Sequence, residues 1–415
     1  MPKTAGLRHG VGLLVAVLAS CVGSNGGRAG SHPLVVLVSV DGWRWDYIDR
    51  ADVPNLRALA ARGVRASSLI PSFPPKTFPN HYTLVTGLYP EHHGIVANVM
   101  IDPSFPERFT MSAETAKDSG WWGGEPLWVT AIRQGQRSAS MFWPGSEVSI
   151  RGIRPTYWRP FDDALPNEDR VRQVIDWLAL PPDEQPSFVT VYFSEVDTAG
   201  HKYGPDSTQV MEAAAHLDQA LGDLIAGVGR LELLDRTSFV IVSDHGMSQL
   251  SDDRRIFLDD YLDLSTVTIT EWSPNLGLTP RSGSVDDVYR ALKGKHPALE
   301  IYTREQTPPH LHYRQSPRIP PIVGLADDGW TMTSHARVEE DRQKGRASDL
   351  GAHGFDPTLP SMHGVLVAAG PRLREGAVVP SLENVHVYEF LCELLGLKPA
   401  PNDGSRRATR AFFRN

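Results

Sequence analysis

The hydrophobic positions of this chain follow two rhythms. Continuous apolar runs occur at Leu34–Val40 (LVVLVSV), Phe188–Phe193 (FVTVYF), Ser238–Val242 and Val365–Ala369. A run with no polar alternate face reads as a strand buried on both sides, as in a parallel sheet. Ser138–Phe142 is a further strand candidate. Between these runs the period lengthens to that of helices. Pro54–Arg62 (PNLRALAAR) has helical spacing and stops at Gly63, and a second helix opens at Asn80 and runs to Val85. Glu168–Leu178 and Val385–Leu395 read as further helices. Gln209–Ile225 places Val210, Ala214, Leu217, Leu221 and Leu224 on one face, the stripe of an amphipathic helix. Strands alternating with helices predict an α/β fold, doubly wound around a mostly parallel sheet with helices on both faces. The stretch 258–334 breaks this rhythm with short β-like pieces, one helix over Ser284–Lys293 and many prolines. It is expected to be a small inserted subdomain packed on the sheet.

The start of the chain reads differently. Lys3 and Arg8 precede an apolar run over Val11–Ala19, followed by Ser20-Cys21. Residues 1–20 read as a secretory signal, and the run is too short to span a bilayer. Leu18-Ala19-Ser20-Cys21 resembles the lipobox at which bacterial lipoproteins are acylated on cysteine. Residues 21–31 then read as a lipidated Cys21 with a Gly/Ser/Asn-rich tether. The expectation is a protein carried across the inner membrane and facing the periplasm from a lipid anchor, with Val22 favouring the outer membrane. Cys392 is the other cysteine of the two, so no disulfide is expected. Forty-one Lys+Arg against 49 Asp+Glu leave a net charge of −8. That balance argues against a long nucleic acid as partner. Small phosphorylated substrates remain open, because a metal supplies positive charge locally. With two cysteines and 15 histidines, a metal would be held by His and carboxylates. Monomer is the default assembly.

Three of the apolar runs end in metal-type ligands. Leu34–Val40 runs into Asp41-Gly42, Phe188–Phe193 into Ser194-Glu195-Val196-Asp197 and then His201, and Ser238–Val242 into Ser243-Asp244-His245-Gly246. In open α/β sheets ligands bind beyond the carboxyl ends of strands. Asp41, Asp197, His201, Asp244 and His245 are therefore expected to converge on one sheet edge, in a combination that suits Zn²⁺. Singly, each reads as a turn or a surface residue; together they read as a site. One more histidine would complete two sites, and His353 and His363, both close to the fourth strand, are the candidates. A nucleophile is offered by Thr77, in Ser72-Phe73-Pro74-Pro75-Lys76-Thr77-Phe78-Pro79-Asn80, just ahead of a helix start where free N–H groups and the helix dipole favour an anion. A neighbouring metal eases loss of the hydroxyl proton. The plainer role for Thr77 is to cap that helix.

In order along the chain, Asp41-Gly42, Lys76-Thr77-Phe78-Pro79-Asn80, Gly87-Leu88-Tyr89-Pro90-Glu91-His92-His93-Gly94, Asn98, Gly124-Glu125-Pro126-Leu127-Trp128, Asp197-x-x-x-His201, Asp244-His245-Gly246-Met247 and His353-Gly354-Phe355-Asp356 resemble the nucleotide pyrophosphatase/phosphodiesterase family of the alkaline phosphatase superfamily. The resemblance covers about residues 32 to 405, and looks like a bacterial form consisting of the catalytic domain alone, here 32–410. It implies an alkaline-phosphatase-like fold and two Zn²⁺ ions. One would be held by Asp41, Thr77, Asp244 and His245, the other by Asp197, His201 and His353, with His353 rather than His363 because it heads the family's motif. Thr77 would be the nucleophile, passing through a phospho-threonine. Asn98 and the Thr77 N–H would hold a non-bridging oxygen. Phe78 would stack on a nucleobase, opposite Phe161, where animal relatives carry Tyr; Tyr157 and Trp158 are neighbouring alternatives. Lys76 would serve a nucleotide phosphate or be a solvated lysine. His92 and His93 look like a further zinc pair but read as structural, since the ligand positions are filled.

The implied activity is hydrolysis of phosphodiester or phosphoanhydride bonds of small nucleotide substrates, releasing nucleoside 5′-monophosphates. The same scaffold also serves phosphomonoesterases, metal-dependent mutases and lipid-head-group phosphodiesterases. The terminal-phosphate arginine typical of monoesterases is not seen beside Thr77. The sulfatase branch needs a modified Cys or Ser, and neither cysteine is near. A non-catalytic zinc-binding lipoprotein is the alternative from another class, but it would usually lack a ligand or the nucleophile.

Overall fold

The computed structural model describes residues 1, 2, 6 and 32–414 apart from 113. The signal, the tether and Cys21 lie outside the described residues. The fold is that of the unit beginning at His32.

An eight-stranded sheet forms the centre. Its strands are β1 (Leu34–Val40), β2 (Val64–Ala66), β3 (Ser138–Met141), β4 (Tyr157–Arg159), β5 (Phe188–Phe193), β6 (Thr237–Val242), β7 (Leu366–Ala369) and β8 (Ala377–Val379). Their spatial order is β8-β2-β7-β6-β1-β5-β3-β4. β1 lies between β5 and β6, parallel to both, with Val38 opposite Val191 and Ile241. The continuous apolar runs have a simple cause: both faces are covered. Leu34, Val36, Val38 and Val40 enter one core with α1 (Pro54–Ala61), α3 (Asn167–Leu178) and α5 (Thr208–Arg230). Val35 and Leu37 enter the opposite core with α2 (Thr77–Thr86) and α6 (Val387–Leu395). A further helix, α4 (Glu195–Tyr203), follows β5 directly.

Several boundaries differ from the sequence reading, each for a physical reason. α2 begins at Thr77, three residues ahead of the expected Asn80. Pro79 falls in its first turn, where no N–H is needed. Asn80 does not cap the helix; its Oδ1 accepts the Ser72 N–H at 2.8 Å and its Nδ2 donates to Pro74 O at 2.9 Å. It thereby fastens the preceding loop to the helix. α5 continues past Ile225 to Arg230 despite Gly227 and Gly229. A side chain at Gly227 would collide with Ile175 of α3, so the glycine permits close helix packing. β7 is antiparallel to both neighbours. It therefore enters the sheet from the edge at which β1, β5 and β6 end, and this brings the segment ahead of it to that edge.

Residues 267–326 hold a separate four-stranded antiparallel sheet of Val267–Glu271, Asn275–Pro280, Ile322–Ala326 and Leu299–Thr303 in spatial order. A helix over Val285–Leu292 opens with a reciprocal Ser284–Asp287 capping box. Leu276, Leu278, Leu292 and Ile301 build this part's own core.

Candidate metal centre and active site

The Asp41 N–H extends the β1–β5 ladder by donating to Phe193 O at 2.9 Å. The chain then turns at Gly42, whose φ is +66°. A Cβ there would stand 2.7 Å from Asp197 Cα, so glycine is what lets the end of β1 meet the start of α4. On α4, Asp197 and His201 lie one turn apart on the same face, with His201 Nε2 3.5 Å from Asp197 Oδ2. Beyond β6, Asp244 Oδ1 accepts the Gly42 N–H at 3.3 Å. His245 Nε2 lies 3.0 Å from Asp244 Oδ2 and 3.5 Å from Asp41 Oδ1. His353 arrives by another route. Gly351-Ala352 pairs antiparallel with Ser248-Gln249, and the His353 ring stacks on His245 with centroids 3.5 Å apart. Its Nε2 is 3.7 Å from Asp197 Oδ1. All six acidic and histidine positions drawn from the sequence thus meet at one sheet edge. His363 does not join them: its ring nitrogens face Ser68 Oγ and Pro357 O.

The three histidines are oriented alike. Nδ1 faces a main-chain carbonyl in each: Gly351 O for His201, Gly246 O for His245, Pro75 O for His353, at 2.9, 3.0 and 2.8 Å. A carbonyl only accepts, so Nδ1 carries a proton and Nε2 is the atom turned toward the carboxylates. This is the support that metal-ligating histidines use. Burial lowers the His245 pKa, but Asp244 and Asp197 outweigh it and raise the pKa, and a metal would take the place of the Nε2 proton. Three carboxylates, Asp41 and Asp244 buried and Asp197 half-buried, with few donors demand a cation. Asp41 Oδ1, Asp197 Oδ1, Asp244 Oδ2 and His245 Nε2 are buried without a hydrogen-bond partner. Buried polar atoms are nearly always paired, so four orphans in one place fit a bound metal. Ligand atoms of Asp197, His201 and His353 come within 4.8 Å of one another, as do those of Asp41, Asp197 and His245. Asp197 bridges the two groups.

The charge balance follows. Burial, then Asp244 and Asp197, hold the Asp41 carboxyl well above the usual range, and burial likewise raises Asp197. Burial would raise Asp244 too, but His245 and His81 outweigh it and hold Asp244 low. Burial, with His245 and Lys76 beside it, keeps His353 neutral, as a ligand must be.

Thr77 is the first residue of α2 and half-buried. The Phe78 N–H donates to Asn98 Oδ1 at 3.0 Å. With Phe78 engaged and Pro79 lacking a proton, the Thr77 N–H is the one at this helix start without a partner among the described residues. Phe78 packs against Phe109 and Trp122, with centroids 5.9 and 6.1 Å apart. Phe161 is 54% exposed and meets Phe142 and Tyr192 instead. Tyr157 stacks on Trp177, and Trp158 lies beneath Arg154. Half-buried Lys76 sends its Nζ toward Ser273 O at 3.4 Å. Burial lowers its pKa against the pull of Glu271 and Asp197. His93 is buried against Thr83 Oγ1 and the Ile95 N–H, and His92 pairs with Asp403.

Two residues of this site have no counterpart in the sequence reading. Tyr192 donates its hydroxyl to Asp41 Oδ2 at 2.6 Å. His81, fully buried, lies between Ser39, Thr77 and Asp244. The available signal for His81 was its position four residues after Thr77.

Comparison with known proteins bears on this geometry. A family model described as type I phosphodiesterase / nucleotide pyrophosphatase matches residues 35–356. Human ectonucleotide pyrophosphatase/phosphodiesterase family member 5 is 37% identical over 374 residues, covering 89% of this chain and 76% of that protein. Mouse bis(5′-adenosyl)-triphosphatase enpp4 is 38% identical over 388 residues, covering 92% and 82%. A venom phosphodiesterase of Crotalus durissus collilineatus is 36% identical over 391 residues, covering 92% of this chain and 46% of its own length. The murine family member 5, solved as an inactive variant in complex with AMP, superposes with a TM-score of 0.87 at 36% identity, covering 92% of this chain and 100% of that one. The chain belongs to the type I phosphodiesterase / nucleotide pyrophosphatase family of hydrolases.

Proposed function

We propose that this protein is a di-zinc phosphodiesterase and nucleotide pyrophosphatase that releases nucleoside 5′-monophosphates through a phospho-threonine intermediate. The observation that carries the reading is the convergence of four unpartnered buried atoms, Asp41 Oδ1, Asp197 Oδ1, Asp244 Oδ2 and His245 Nε2, beside the helix that opens with Thr77. Asp41, Thr77, Asp244 and His245 would hold one zinc ion and Asp197, His201 and His353 the other, and such a pair supplies positive charge to the attacking and leaving oxygens of an in-line displacement. Thr77 gives up its hydroxyl proton to solvent and bonds to phosphorus as the P–O bond to the leaving group breaks, the leaving oxygen departing as pyrophosphate or taking a proton from water as the alcohol. Water then releases the monophosphate from Thr77. The Thr77 N–H and Asn98 Nδ2 would donate to a non-bridging oxygen as it gathers charge. Phe78 and Phe161 offer aromatic faces to a base, and Lys76 would serve a nucleotide phosphate.

Residues 32–410 would be the catalytic domain, with an inserted part at about 258–334. The signal over 1–20 and a lipid on Cys21, facing the periplasm from the outer membrane, belong to the same proposal; labelling of Cys21 with palmitate tests them. No helix among the described residues is long and apolar enough to cross a membrane. The deciding experiment is a pair of initial rates on zinc-loaded protein, with the p-nitrophenyl ester of thymidine 5′-monophosphate and with p-nitrophenyl phosphate. A preference of about a hundredfold in kcat/KM for the diester, ~2.7 kcal/mol, supports the proposal. The reverse preference makes it a monoesterase, and no turnover of either removes the nucleotide reading.

A further inference from the structure

Both ring nitrogens of His81 are engaged, unlike those of His201, His245 and His353, whose Nε2 atoms face the carboxylates. Nε2 lies 2.7 Å from Ser39 Oγ on β1, and Nδ1 lies 2.8 Å from the Thr77 carbonyl. The same Nδ1 is 3.4 Å from Asp244 Oδ2. The tautomer follows from the partners. A carbonyl and a carboxylate oxygen only accept, so Nδ1 carries the proton; the Ser39 hydroxyl donates to the bare Nε2. A protonated Nδ1 does not ligate a metal. Although His81 sits with Asp41 and Asp244 in a ligand-like group, it is a donor there and not a ligand.

The ring has no freedom to leave this arrangement. It is fully buried, edge-on to Trp143 and Tyr192 at 5.0 and 5.2 Å. The His81 carbonyl accepts the Trp143 indole N–H at 3.0 Å. One rigid ring therefore touches the backbone of the proposed nucleophile, a proposed ligand and the central strand. Fixing the Thr77 carbonyl fixes its peptide plane, and with it the direction in which the Thr77 side chain leaves the helix. Misplacement of a reacting group by about 1 Å can cost on the order of a hundredfold in rate.

The geometry points to His81 as a positioning residue that sets Thr77 against Asp244 through its single Nδ1–H, with Ser39 selecting the tautomer. This rests on the proposed nucleophilic role of Thr77. It requires loss of the Nδ1 contact to lower kcat and zinc affinity rather than raise KM.

Three full-length variants test it: His81→Asn, whose amide N–H reaches the Nδ1 position; His81→Gln, which reaches the Nε2 position; and His81→Leu, which reaches neither. Diester kinetics and zinc affinity by competition with a chromogenic chelator are read for each, with circular dichroism as the check on folding. Gln and Leu are expected to lose about 10- to 100-fold in kcat and in zinc affinity, with KM within about threefold and Asn recovering most of the loss. The inference is overturned if Asn is no better than Gln, if KM carries the change, or if Leu keeps its kcat. Should His81→Leu not fold, the Asn–Gln comparison decides alone. If the wild-type protein turns over no diester, the nucleotide reading fails, and the zinc affinities of Asn and Gln still decide for or against His81.

Discussion

Tyr192→Phe is the sharpest test of the proposed metal centre, because it removes one atom and leaves the packing. The ring keeps its edge contacts with His81 and Phe161; only the hydroxyl, 2.6 Å from Asp41 Oδ2, is lost. Asp41 Oδ1 is already without a partner, so the substitution leaves a buried carboxylate with neither oxygen held by this side chain. A hydrogen bond to a charged group contributes about 1.5–3 kcal/mol. At 1.36 kcal/mol per decade this corresponds to about 10- to 150-fold in zinc affinity as a ceiling. Loss of outer support for a metal ligand typically weakens binding by about 10- to 100-fold, and that is the expected range. The pH dependence has a definite sign. Burial, then Asp244 and Asp197, raise the Asp41 pKa, and Tyr192 opposes them. Without the hydroxyl, Asp41 rises further and holds its proton to higher pH. Protons and zinc compete for the same oxygen, so the gap between wild type and variant widens as pH falls and narrows as it rises. The assay is a chelator competition at several pH values, with a melting curve on each sample. A variant that binds zinc within about threefold of wild type across that range would refute the role of Asp41 as a supported ligand.

Thr77→Ala is expected to lower diester turnover by at least about a thousandfold, as for other nucleophile losses, while dialysed protein still retains zinc; a near-normal rate would mean that water attacks directly. Phe78→Ala should raise KM for nucleotides more than for a small aryl diester, and equal effects would remove the base-stacking role. The same change opens space against Phe109 and Trp122, so a stability loss of about 1–3 kcal/mol is expected, less than for a fully buried Phe, and urea unfolding measures it. Stripping metal with a chelator should lower the melting temperature, since buried carboxylates lose their counter-charge. Adding zinc at about 100 times its Kd should restore about 2.7 kcal/mol; a melting point indifferent to zinc would argue against the site.

The parts that were legible in the sequence share one property: they follow from local pattern. A strand covered on both faces is mostly apolar on both, so β1, β5 and β6 announce themselves despite a buried Ser39 or Thr190, and the acidic residue beyond each run marks the ligand edge. The three-residue strands β2, β4 and β8 carry too few residues for any period to show. The start of α2 was hidden because Thr77 reads as the cap of a helix opening at Asn80, whereas Thr77 is itself the first helical residue and the Asn80 side chain is spent on the loop behind it. The reversed direction of β7 is a matter of tertiary pairing, and no periodicity encodes it. His81 and Tyr192 were missed because a buried ring in a helix or strand is indistinguishable, by pattern, from an ordinary core residue.

The orientation of the ligands was illegible for a deeper reason. Each of the three histidines is aimed by a main-chain carbonyl, those of Gly351, Gly246 and Pro75, and a carbonyl leaves no mark in a sequence. What does leave a mark is the room these carbonyls require. A side chain at Gly351 would strike the Gly200 carbonyl, and one at Gly246 would strike the Ser361 carbonyl. Gly351 is therefore part of the ligand geometry, because its lack of a side chain lets two backbones approach closely enough for its carbonyl to steer the His201 imidazole. Pro75 extends the argument to the chemistry. It lies in the loop that delivers Thr77, so the carbonyl that aims His353 belongs to the segment that would carry the nucleophile. A shift of that loop would turn a ligand of one proposed ion and displace Thr77 at the other. The two halves of the site are thus joined through backbone atoms, with His81 as a side-chain link between Thr77 and Asp244.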